Sequence, residues 1–156
     1  PDPQVRGRAT TDLITAGEPA APALAALLAD PDARIRHVAT TTLWGMGAKA
    51  RAAVPQLGAA LRDPDASVRA SAAMARGRSG AAAQAAVPAL IGALSDSDRN
   101  VRVWAVKALG AIGPGARKAV PALRRMVKDD FLGSTIEETL RKIGRGSAAG
   151  TSSGRP

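Results

Sequence analysis

The sequence of 156 residues has no cysteine and no tyrosine, a single histidine, one phenylalanine and two tryptophans. Without cysteine it can form neither disulfides nor thiolate metal sites, and cysteine usage says nothing of the redox compartment. With aromatics at 2%, any core must be assembled from Ala, Leu, Val and Ile. No apolar run approaches the roughly 20 residues that span a bilayer, and no charged start leads into an apolar signal core. Catalytic material is equally scarce. Nothing near His37, the one histidine, is arranged as a nucleophile elbow, and a metal site built on it would need at least two convergent carboxylates. These shortages argue against an enzyme, a bound metal or a cofactor, and His37 reads as an exposed helix residue. The expected location is the cytoplasm, although the chain opens on Pro1 rather than Met, which leaves room for a removed upstream segment.

What the sequence does have is alanine, the best helix former, arranged in a repeat. Pro22, Pro55, Pro88 and Pro121 are each 33 residues apart. Ala21, Val54, Val87 and Val120 precede them; Leu24, Leu57, Leu90 and Leu123 follow two residues later, and Leu28, Leu61, Leu94 and Val127 six residues later. Proline is tolerated in the first helical turn, where its missing N–H would have no partner anyway, so each proline predicts the start of an amphipathic helix of about three turns. Acidic punctuation ends each one: Asp30-Pro31-Asp32, Asp63-Pro64-Asp65, Asp96-Ser97-Asp98 and Asp129-Asp130. Those aspartates suit the N-cap and the dipole of a following second helix. That helix is clearest at Asn100 to Ile112, with Val101, Ala105, Ala108, Leu109 and Ile112 inward and Gly113 as C-cap. Ile35, Ala39, Thr42, Leu43, Met46 and Gly47 take the same places in an earlier pair.

The segment Val87-Pro88-Ala89-Leu90, Asp96-Ser97-Asp98-Arg99-Asn100-Val101-Arg102, Ala108-Leu109-Gly110-Ala111-Ile112-Gly113 resembles the HEAT repeat, of the variety shared with phycobilin lyases. The resemblance covers residues 1–144. It implies an all-α, right-handed superhelical solenoid of helical hairpins, with first helices convex and second helices lining the concave side. It does not imply lyase activity, since the same repeat occurs in unrelated adaptors. It also implies that the column Arg6, Arg36, Arg69 and Arg102 stacks between repeats and pairs with the turn aspartates as an internal ladder rather than a ligand stripe.

About nine helices are expected: a half repeat over 1–17, pairs over 18–47, 51–80, 84–113 and 117–144, and a flexible Gly/Ser-rich tail over 145–156. In the second full pair Arg76 stands where Leu43 and Leu109 stand, and Ser79 where Met46 and Ile112 stand. A guanidinium there must snorkel out, sit on a locally rotated helix or meet an acidic partner, and the plainest reading is a loosened repeat whose helix Gly77 ends early. The opening helix lacks a first-helix partner for Val5, Ala9 and Leu13, so the chain is expected to be a fragment of a larger protein or to stack end to end.

Two surfaces are left for function. On the second helices His37, Thr41, Trp44, Met74 and Lys107 lie at positions that do not point inward, a groove for a protein or peptide in which Trp44 is either the anchor or a filler against the next helix. Trp104 is assigned to packing. Charge supplies the second surface: the net +9 splits into 10 basic and 9 acidic residues up to Asp98, and 12 basic and 4 acidic from Arg99 onward. Arg117, Lys118, Arg124, Arg125, Lys128, Arg141, Lys142 and Arg145 could contact phosphates or an acidic partner, or could be the solvated cap of a terminal repeat. The function expected is a non-catalytic binding scaffold for another protein, with nucleic-acid binding through the basic end as the alternative.

Overall fold

A computed structural model describes residues 3–78, 84–128 and 131–148, with side chains left aside for 3–6 and 146–148. Among these residues the chain forms nine α-helices and no strand: α1 (Pro3–Ala16), α2 (Ala21–Ala26), α3 (Ala33–Met46), α4 (Val54–Ala60), α5 (Ala66–Gly77), α6 (Val87–Ala93), α7 (Arg99–Ile112), α8 (Val120–Met126) and α9 (Gly133–Ala148). The odd-numbered members are the long second helices, and α3, α5, α7 and α9 stack side by side. The even-numbered first helices each carry a proline in their first turn. The architecture is an all-α solenoid.

The first helices differ from the three turns expected of them. Their α-helical part is 6 or 7 residues, about two turns. Tighter 3-10 turns make up the rest, Gly47–Ala53 before α4 and Gly113–Ala119 before α8. These segments join consecutive pairs where loops were expected. At the far end α9 continues to Ala148, so the first residues assigned to the tail are helical; the remainder of the tail, like Asp2, Ser79, Asp129 and Asp130, lies outside the described residues.

Local rules account for the boundaries of the second helices. Asp32, Asp65 and Asp98 sit at N-caps, and their carboxylates accept backbone N–H bonds from Arg34, from Ser67 and Val68, and from Asn100 and Val101. Gly47 and Gly113 follow α3 and α7 at φ 57° and 64°, a left-handed conformation that a side chain would strain. The helix α5 stops at Gly77, two residues short of the 14 in α3 and α7.

Between the two layers lies a core of leucine, valine and alanine. Leu43, Leu57, Leu90, Leu109, Leu123, Ile136 and Ile143 are among its fully buried members, each stabilising by about 1.5–3 kcal/mol relative to exposure. The core divides into two clusters, and α5 contributes Ala75 to the N-terminal one and Val68 to the C-terminal one. Close approach of the second helices depends on small residues. A Cβ added at Gly77 would stand 2.8 Å from the Cα of Ala108, and one at Gly110 would stand 2.9 Å from Oγ1 of Thr139. One inward assignment is corrected: Ile35 is 40% exposed, whereas Val68 and Val101 in its column are sealed. The cavity of about 300 Å³ beside it is also lined by Leu13 of α1 and Leu24 of α2, and the side chain of Val5 lies outside the described residues.

Candidate functional site

The second helices α3, α5 and α7 bring part of the predicted groove together. A cavity of about 330 Å³ opens between them, lined by His37 from α3, Ser71 and Met74 from α5, and Asn100 and Trp104 from α7, with Asp98 at its edge. His37 and Ser71 are joined across the helices, Nδ1 to Oγ at 3.1 Å. Trp104 is half-buried, and the ammonium of Lys107, one turn along α7, stands 4.8 Å from its ring centroid. His37 and Met74 therefore share one site, and Lys107 borders it through Trp104.

The other two candidates are placed differently. Thr41 turns its hydroxyl back onto its own helix, donating to the carbonyls of His37 and Val38. Trp44 is half-buried against the N-terminal core cluster, and the guanidinium of Arg78 covers its ring at 5.3 Å. The tryptophan that lines the cavity is Trp104, which the sequence assigns to packing. One signal was available: Trp104 stands three residues before Lys107, the spacing that puts two side chains on one helix face.

The arginine column forms the ladder that the resemblance implied. Arg36 donates to both carboxylate oxygens of Asp63, at 2.7 and 2.8 Å, and to the carbonyls of Asp30 and Pro31 in its own turn. Arg69 repeats the arrangement with Asp96, Asp63 and Pro64. Arg102 binds the carbonyls of Asp96 and Ser97; a further step of 27 residues, the separation of the other two pairs, leads to Asp129, outside the described residues. Burial pushes the Asp63 carboxyl up, but the bonds from Arg36 and from the backbone N–H of Asp65 outweigh it and leave its pKa below the usual value. The guanidinium of Arg69 is the main cause of the same lowering at Asp96. These charges tie one turn to the next, so they are scaffold. The side chain of Arg6 is outside the described residues.

Arg76 neither snorkels out nor meets an acidic partner among the described residues. It is 4% exposed, Nη1 donates to the carbonyl of Val54 at 2.6 Å, and Nε is buried without a partner. Burial alone pushes its pKa below the ordinary arginine value. The early end of α5 at Gly77 is present, yet the guanidinium stays in the core, at the level where the two apolar clusters meet.

At the C-terminal end Arg117 and Arg124 line one groove together with Val120, Leu140 and Ile143. Lys118, Arg125, Lys128, Arg141 and Arg145 are exposed. Lys142 is paired with Glu138 at 2.8 Å, one turn away on α9. Among the described residues no three His, Cys, Asp or Glu side chains converge on a metal-sized site, and no helix is long and apolar enough to cross a membrane.

The family model for HEAT repeats matches residues 54–141. The chain belongs to the HEAT repeat family. No curated protein matches it. Among solved structures, this HEAT repeat chain is similar to the complex of CpcE and CpcF of phycocyanin lyase from Nostoc sp. PCC7120, with TM-score 0.71, 22% identity, and 90% of each chain covered. A designed armadillo repeat protein in complex with the peptide (KR)4 is similar at TM-score 0.69 and 18% identity, over 77% of this chain and 62% of that one. An engineered protein follows at TM-score 0.69 and 23% identity, over 84% and 64%. The chain thus spans less than two thirds of either engineered relative's length. At these identities the likeness shows the fold alone.

Proposed function

We propose that this HEAT repeat chain is a non-catalytic scaffold that holds a protein partner on the face formed by its second helices. The observation that carries the reading is the cavity between α3, α5 and α7, which combines an apolar platform, Met74 and Trp104, with polar groups at its edge, His37, Ser71 and Asn100. Such a site suits a peptide segment with one apolar anchor residue and hydrogen-bonding backbone or side chains beside it. The peptide seated on the designed armadillo relative supports the same use of a related fold. Stacked helices give a rigid groove without catalytic groups, and the ladder arginines are already engaged within the scaffold. The likeness to a phycocyanin lyase complex, at 22% identity, adds fold and no chemistry.

Selection of peptides from a displayed library against the full chain tests this. Peptides enriched on the native protein should lose at least about tenfold in affinity on Trp104→Ala, with circular dichroism confirming that the variant stays helical. Peptides that bind Trp104→Ala and Met74→Ala as tightly as the native chain would remove the cavity from the function.

A further inference from the structure

The C-terminal end of the solenoid carries a groove of about 490 Å³ between the start of α8 and the last turns of α9. Val120, Leu140 and Ile143 form its floor, and Arg117 and Arg124 stand on its rim. Leu140 belongs to the column of Leu43 and Leu109, which are 1% and 0% exposed. Here it is only half-buried. The column is sealed at Leu43 and Leu109 and half-buried at Leu13 and Leu140.

The rim is as distinctive as the floor. The column of Arg124 holds Ala25, Gly58 and Ile91 in the earlier pairs, and that of Arg117 holds Glu18, Arg51 and Gln84, so only the last pair has arginine at both. Arg117 and Arg124 are exposed, and neither forms an ion pair among the described residues. Exposed Lys118, Arg125, Lys128 and Arg141 extend the positive surface around them. An apolar slot flanked by unneutralised cations complements a helix with one apolar stripe and acidic flanks.

We propose that this end of the solenoid docks an acidic amphipathic helix of a partner protein, seated where the first helix of a further pair would stand. Its apolar stripe lies on half-buried Val120 and Leu140, over the buried Ile143, and its carboxylates face Arg117 and Arg124. The observations favour a helix over nucleic acid. Phosphates gain nothing from the apolar floor, since their affinity comes from charge, and no aromatic side chain lines this groove for base stacking. The site is distinct from the cavity at Trp104 and does not rest on the function proposed for it.

A fluorescein-labelled amphipathic peptide of about 18 residues, roughly 27 Å as a helix, with Leu along one face and Glu on its flanks, is titrated with the full chain by anisotropy at physiological salt. Saturable binding is expected, weakened at least about tenfold in the double variant Arg117→Glu, Arg124→Glu and unchanged in Trp104→Ala. A peptide of the same composition in scrambled order keeps the charge and loses the stripe, and should bind at least about tenfold more weakly. Both arginines are exposed, so the charge-reversed chain should keep its helical circular dichroism. Equal binding of the scrambled peptide, or undiminished binding by the double variant, overturns the proposal. So does a DNA duplex of matched charge that displaces the helical peptide at lower concentration, in favour of a phosphate surface. A self-associated chain that the peptide does not dissociate also overturns it, in favour of a second copy.

Discussion

Replacing Arg76 with leucine, the residue at the same place in α3 and α7, exchanges a buried cation for the side chain that the column otherwise uses. In the native chain Nε has no partner and only Nη1 is engaged, with the carbonyl of Val54. An unsatisfied buried polar group costs about 1–3 kcal/mol, and leucine adds roughly 1.5–3 kcal/mol of apolar burial. Against this, the Val54 carbonyl loses its donor, about 1–3 kcal/mol, and the neighbours must repack around a branched side chain, about 1–3 kcal/mol if they fit badly. At central values the balance favours leucine by about 0–2 kcal/mol, the upper end applying where the neighbours fit it without repacking, in line with the outcome of exchanging buried ions for apolar residues. For a chain of this length that is a rise in Tm of up to about 8 °C. Urea unfolding followed by circular dichroism should move to a higher midpoint with unchanged slope. Trp44 and Trp104 belong to the N-terminal and C-terminal core clusters, so their fluorescence reports whether the two halves unfold closer together once the cation between them is gone. A loss of about 1 kcal/mol or more in Arg76→Leu, with Arg76→Met behaving alike, would refute the reasoning: the bond to Val54 would then outweigh burial of the charge.

Asp96→Ala leaves the largely buried guanidinium of Arg69 without its carboxylate and should destabilise by about 2 kcal/mol, read as a lower urea midpoint. Because the Asp63 and Asp96 pKa values lie below the unfolded value, their contribution is fully present above about pH 4 and is lost as pH falls through the folded values. Stability measured down to about pH 2 should therefore drop in the native chain, and less steeply in Asp63→Asn, Asp96→Asn. Gly77→Ala drives a Cβ into the backbone of Ala108 and should cost about 1–2 kcal/mol despite the better helix propensity of alanine; a Tm at or above the native value would show that α5 and α7 separate freely. Arg78→Ala uncovers the Trp44 ring and should raise the accessibility of N-terminal fluorescence to an acrylamide quencher, with little change at Trp104.

Much of this was legible because a solenoid is nearly one-dimensional: each pair packs against its neighbours, so spacing along the chain becomes position in space. The proline, leucine and aspartate columns mark the helix starts, the core and the caps, and Leu24, Leu57, Leu90 and Leu123 are all buried as their column requires. The columns failed where the environment changes along the stack. Ile35 repeats the pattern of Val68 and Val101, yet it is 40% exposed where they are sealed. Leu140 is half-buried where Leu43 and Leu109 are sealed. Trp104 and Trp44 are alike by residue type, and only their surroundings distinguish them: Arg78 covers Trp44, and a cavity opens beside Trp104.

The sequence by itself determined the all-α solenoid, its 33-residue register, the capping aspartates and the concentration of positive charge after Asp98. These follow from local preferences and from repetition, which need no knowledge of neighbours across space. Only the tertiary structure decided which side chains converge. It joined His37 to Ser71 and set Met74 and Trp104 beside them, kept the Arg76 guanidinium in the core, and brought Arg117 and Arg124 to one apolar groove. Convergence depends on the distance between helices and on what closes each end of the stack. Those depend on contacts such as Gly77 with Ala108, made between residues about one repeat apart, and on no periodicity within either helix.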